Sequence, residues 1–79
     1  METKEKIKGV LASLLKVKPD ELKDDVKLYD SIGVDSTEMV EAVIALEKSF
    51  GTKLSPREIT KFSTINDIEK VINSKIGAQ

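Results

Sequence analysis

An all-α four-helix bundle is the fold class this sequence predicts, with three longer helices, a short third helix and a long loop between the first two. Three observations predict it. Apolar residues recur at helical spacing in three separate stretches. Capping residues stand at Asp35, Ser55 and Thr64, and Pro19 and Gly51 mark where helices have ended. Nothing alternates apolar and polar residues in the way a half-buried strand does.

The first helix rests on Ile7, Val10, Leu11, Leu14 and Leu15, which follow the i, i+3, i+4, i+7, i+8 pattern with lysines elsewhere on the surface. Gly9 within it costs about 1 kcal/mol of helix propensity, and Pro19 marks the region where it has ended. Residues 17–35 form a connection too long for an unanchored loop in a compact domain. Leu22, Val26, Leu28, Ile32 and Val34 are spaced to touch a core repeatedly, so an ordered loop pinned across the bundle is expected, with a turn of helix at 20–23. The second helix opens at Asp35, whose side chain caps it, and Glu38 completes a capping box. Met39, Ala42, Val43, Leu46 and Phe50 then form its apolar stripe, and Gly51 stops it. Val40 and Ile44 lie at the edge of that stripe and are expected to be partly exposed. Ser55-Pro56-Arg57-Glu58 reads as cap, first-turn proline and capping-box glutamate of a short third helix over 56–61. The last helix starts after Thr64, buries Ile65, Ile68, Val71 and Ile72, and frays beyond Lys75.

Composition narrows the function. The 79 residues include no cysteine and no histidine, which excludes disulfides, thiolate metal sites and the ordinary serine or cysteine triads. A carboxylate-only or lysine-based site is left, but so short a chain has little material to close a pocket around it, so an enzyme is the less expected class. No apolar run is long enough to span a bilayer, and Met1-Glu2-Thr3-Lys4-Glu5 lacks the apolar stretch of a signal peptide. A soluble, cytoplasmic protein without membrane insertion is expected. The formal net charge of −1 is unevenly spread. Residues 24–47 hold seven acids (Asp24, Asp25, Asp30, Asp35, Glu38, Glu41, Glu47) against Lys27, while both flanks are basic. Such a segment repels nucleic acid, and helix-turn-helix DNA binding fails on the same charge. It is either an ordinary solvated face or a surface for a basic protein partner.

The stretch that bears on chemistry is Gly33-Val34-Asp35-Ser36 at the mouth of the second helix. Alone, the tetrapeptide does no more than cap a helix. With the helix order, the loop length and the acidic second helix Val40-Glu41-Ala42-Val43-Ile44-Ala45-Leu46-Glu47, followed by Phe50-Gly51, the whole chain resembles the acyl carrier protein (ACP) family. The resemblance implies a non-enzymatic carrier, residues 1–79 being one acyl-carrier domain, monomeric, with 4′-phosphopantetheine from coenzyme A joined to Ser36 and with Gly33, Asp35 and Thr37 beside it. It also implies a phosphopantetheinyl transferase, an acyl-ACP synthetase or acyltransferase and ketosynthase-type enzymes as partners, with an acyl chain as cargo held as a thioester for fatty-acid, lipid or polyketide biosynthesis. These partners are expected to meet Glu38, Glu41 and Glu47 through basic patches, with Val40 and Ile44 as the apolar centre. The physical chemistry agrees: a serine at the first position of a capped helix is exposed yet fixed, and the helix dipole favours an anion there by roughly 0.3–1 kcal/mol. The cofactor brings its own thiol, so the lack of cysteine is no objection.

Two positions depart from the family pattern. Thr37 stands where leucine usually follows the serine, and Lys48 where an acidic residue is common. Both point to a specialised carrier rather than the housekeeping fatty-acid one. A peptidyl or aminoacyl carrier shares the fold and the modified serine, although the acidic second helix leans towards acyl. An unmodified helical adaptor would explain the bundle but not Val40 and Ile44 exposed beside Ser36.

Overall fold

The computed structural model describes residues 2–77, so the expected domain limits at residues 1 and 79 lie outside the described residues. Helix α1 spans Glu2–Leu15, a 3-10 turn Pro19–Glu21, α2 Leu28–Ile32, α3 Ser36–Phe50 and α4 Ile65–Ile76. No strand occurs among the described residues, and the all-helical expectation holds. α1 packs against both α3 and α4. Ile7 and Leu11 of α1, Leu46 of α3 and Ile65, Ile68 and Ile72 of α4 are fully buried at the centre, while Val10, Leu14, Leu15, Phe50 and Val71 pack half-buried around them.

The long connection is anchored as its spacing predicts. Leu22, Leu28 and Val34 are buried, and Val26 and Ile32 are half-buried. The expected turn at 20–23 is a 3-10 turn placed one residue earlier, starting at Pro19, whose fixed φ suits a first helical position. What the spacing did not reveal is α2. Its first two N–H groups, which no intrahelical carbonyl can accept, donate to Ser63 O (Leu28, 3.0 Å) and Lys61 O (Tyr29, 2.8 Å). Gly33 ends α2 with φ 65° and donates its N–H to Tyr29 O at 3.0 Å, a left-handed cap that a side chain would strain.

The helix expected over 56–61 is corrected to a single turn. Its capping box forms: Arg57 N–H donates to Ser55 Oγ at 3.0 Å, and Ser55 N–H to Glu58 Oε2 at 3.2 Å. Propagation stops there, because Thr60 N–H donates to Ser63 Oγ at 3.0 Å and Phe62 N–H to Thr60 Oγ1 at 3.1 Å. These hydroxyls take the backbone groups that a continuing helix would have used. The change of course also reverses Phe62. Three positions after the buried Ile59, Phe62 would have joined the bundle lining had the helix continued; instead it is 55 % exposed. The short element of the bundle is therefore α2, ahead of α3, and a capped turn stands where the third helix was expected.

Candidate functional site

The start of α3 follows its sequence closely. Asp35 lies outside the helix in extended conformation, and its Oδ1 accepts from Glu38 N–H at 2.7 Å. Glu38 Oε1 in turn accepts from Asp35 N–H at 3.0 Å. With Gly33 turning the chain out of α2 and Val34 buried between them, Ser36 is held as the first residue of α3. Its side chain is exposed and makes no hydrogen bond among the described residues. Thr37 is likewise exposed, pointing to solvent beside it.

Ser36 opens onto a pocket of about 290 Å³. Met39 and Val40 of α3 line one side, and Pro56, Ile59, Thr60 and Phe62 of the capped turn and the segment after it line the other. Ile59 is 1 % exposed and Met39 is buried, so the interior is apolar, whereas the rim carries Ser36, Thr60 and Lys61. A larger hollow of about 800 Å³ lies elsewhere, between Lys8, Asp20, Lys23 and Asp24. It is wide open and edged by charged side chains, of which Lys8 and Asp24 pair with each other, so the smaller apolar pocket is the better place to shelter a ligand.

Val40 and Ile44 are 44 % and 46 % exposed, one turn apart on α3 below Ser36, and Glu41 is exposed between them. Of the expected recognition residues, Val40, Glu41 and Ile44 therefore lie exposed together on the helix, whereas Glu38 is half-buried with its Oε1 engaged by the Asp35 amide. Glu47 does not join them freely: its Oε2 accepts from Leu54 N–H at 2.8 Å, tying the end of α3 to the following loop. Asp24 stays partly exposed but is matched by lysines of α1. It pairs with Lys8 and, at 3.4 Å, with Lys4 of α1, and the Lys8 hydrogen bond holds its carboxyl below the ordinary value of 3.8. Asp25, Asp30 and Glu41 have no ion pair among the described residues.

Sequence reasoning missed the far rim of the site. Tyr29 of α2 and Phe62 lie 5.9 Å apart between ring centroids, and Lys61 Nζ sits 5.2 Å from one ring and 5.4 Å from the other. The chain has only three aromatic residues, and two of them following closely on a lysine, Tyr29 after Lys27 and Phe62 after Lys61, was the available signal, but their meeting needed the tertiary fold.

No helix among the described residues is long and apolar enough to cross a membrane, and no cluster of ligand side chains suited to a metal ion occurs among them. Against known families, the profile of the phosphopantetheine attachment site matches residues 5–72, which takes in every element from the first helix to most of the last. Domains of this family carry a 4′-phosphopantetheine prosthetic group, are not themselves catalytic, and work with a phosphopantetheinyl transferase and with biosynthetic enzymes. The residues present suit such a group, since an exposed, unbonded hydroxyl at a capped helix start borders an apolar pocket. With a match of that extent over this helical bundle, the chain belongs to the phosphopantetheine-attachment family of carrier proteins.

Proposed function

We propose that the protein is an acyl carrier whose prosthetic arm is attached at Ser36. The observation that carries this reading is the pocket: the one serine at the mouth of the capped helix also borders an apolar hollow of about 290 Å³. When bound, the arm supplies the thiol that takes an acyl group as a thioester. The chain's own residues do the rest. Asp35 and Glu38 fix the helix start, Gly33 sets the turn that presents it, and Met39 and Ile59 offer the apolar floor. A pocket with an apolar interior favours an acyl cargo over an aminoacyl one, whose ammonium would lose solvation there.

The partner surface is Val40, Glu41 and Ile44, with Thr37 at its upper edge and Glu38 and Glu47 each contributing only the oxygen not bonded within the chain. Its partners are the transferase, an acyl-ACP synthetase or acyltransferase and ketosynthase-type enzymes of fatty-acid, lipid or polyketide synthesis, met in the cytoplasm by a monomer of one domain. Charge pairing of this kind sets association rate and partner choice rather than tight binding, which suits a carrier that visits several enzymes. Thr37 and Lys48 mark a specialised carrier.

Intact mass after incubation with coenzyme A, Mg²⁺ and a broad-range phosphopantetheinyl transferase tests the attachment. Wild type gains one phosphopantetheine and Ser36→Ala gains none. Modification persisting in the alanine variant, or found on Ser31 or Ser55, would overturn the assignment.

A further inference from the structure

Lys61 is the one charged side chain that lines the Ser36 pocket among the described residues. It makes no ion pair there; its ammonium rests instead against the rings of Tyr29 and Phe62, at 5.2 and 5.4 Å from their centroids. Both rings are at least half exposed. The backbone beneath is well fixed: Lys61 O accepts from Tyr29 N–H at 2.8 Å, and Thr60 and Ser63 hydroxyls hold the flanking amides. The cation is thus aimed by two aromatic faces and neutralised by no carboxylate.

We propose that Lys61 is a positioning residue that holds the phosphodiester of the prosthetic arm at the pocket mouth, with Tyr29 and Phe62 as the platform that aims it. The inference rests on attachment at Ser36. A ring face is a weaker partner for an ammonium than an anionic oxygen, which adds a charge-assisted hydrogen bond. The N-terminal end of α3 contributes positive potential from the other side of the same mouth, so an anion there lies between two like-signed sources. Asp35 does not compete for the ammonium, because its carboxylate is committed to the Glu38 amide. Anchoring at this point biases an attached chain towards the Met39 and Ile59 side of the pocket rather than towards solvent.

The test compares apo and holo forms of wild type, Lys61→Gln and Lys61→Arg by ¹⁵N amide shifts at low and high salt, with loading verified by intact mass. In wild type, loading is expected to move the amides of Thr60, Lys61 and Phe62 as well as those of Ser36 and Thr37. Lys61→Gln loses the first group of shifts and keeps the second; Lys61→Arg keeps both; high salt shrinks the first group in wild type and in the arginine variant. Loaded wild type with shifts confined to the start of α3, or Lys61→Gln with the full wild-type pattern, overturns the role of Lys61 alone. Failure of wild type to load at Ser36 overturns the attachment reading and the role of Lys61 with it.

Discussion

Ser36 differs from its neighbouring serines through its surroundings rather than its chemistry. Ser31 Oγ donates to Leu28 O at 3.5 Å and Ser55 Oγ accepts from Arg57 N–H, whereas the Ser36 hydroxyl has no partner among the described residues and faces solvent. The same distinction separates the acids. Glu41 is exposed and without an ion pair among the described residues, so Glu41→Lys is expected to lower the transferase's kcat/KM at low salt, with the deficit fading as salt rises. Ile44→Ala, which removes a half-exposed apolar contact, is expected to lower it at all salt concentrations. Transferase kinetics over a salt series, with circular dichroism to verify helicity, separates the two; equal loss of helicity and activity would show both to be structural. Asp24 behaves oppositely. Lys8, then Lys4, stabilise its charged form, so the folded state binds that proton less readily than the unfolded chain. The stability it lends is present above the ordinary value of 3.8 and is lost as pH falls through the lower folded value. Asp24→Asn is therefore expected to reduce the melting temperature modestly at neutral pH and to flatten its fall in acid; a variant whose acid limb parallels wild type would refute the linkage.

At the scale of elements, the capping box at Asp35 both starts α3 and orients the attachment residue. Asp35→Ala removes the bond from the Glu38 amide and is expected to cost about 1 kcal/mol, a drop in melting temperature of roughly 4–8 °C for a domain of this size. The measurement is thermal unfolding at neutral pH, with Asp35→Ser, which keeps a capping oxygen, expected to recover most of the loss as the conservative variant. An unchanged melting temperature would mean that the first turn of α3 is held by Val34 and Met39 packing alone. The cap of α4 was legible in the same way from Thr64, and the structure adds Asp67 as its reciprocal partner three residues on. The Ser55 box was legible too, but the length of the element it starts was not. Whether a turn propagates depends on competition from Thr60 and Ser63, whose hydroxyls have several possible backbone partners until the chain is folded. α2 is the converse case: five residues are too few to nucleate a helix alone, and the carbonyls of Lys61 and Ser63, more than thirty positions along the chain, complete its first turn.

The molecule as a whole places an apolar pocket beside its attachment residue and keeps its charge in separate zones. α1 gives lysines to Asp24 and Glu69, Lys75 pairs with Glu58 at 2.9 Å, and Asp30 of α2 and Glu41 of α3 are left without an ion pair among the described residues. Each methylene buried against Met39 and Ile59 contributes at most about 0.8 kcal/mol, less the cost of parting α3 from the capped turn. Acylated forms are expected to melt above the holo form, with a gain that grows with chain length and levels off once about 290 Å³ is filled. Thermal unfolding of holo, short-chain and medium-chain forms at one pH and ionic strength checks it. A flat series would place the chain in solvent and shift the cargo from acyl towards aminoacyl.

The helical class, the bounds of α3 and α4 within a residue or two, the existence of α1, the capped position of Ser36 and the partial exposure of Val40 and Ile44 were all legible in the sequence. Each follows from interactions within about one turn of chain, either apolar periodicity or side-chain caps, and these are encoded in neighbouring letters. Long-range packing settled that α2 exists, that Phe62 turns outward, and that Tyr29, Lys61 and Phe62 meet at the rim of the pocket. It also decided that Asp24 and Glu47 are engaged within the chain while Glu41 is not. Those outcomes depend on which of several possible partners, distant in sequence, folding brings within hydrogen-bonding or van der Waals reach.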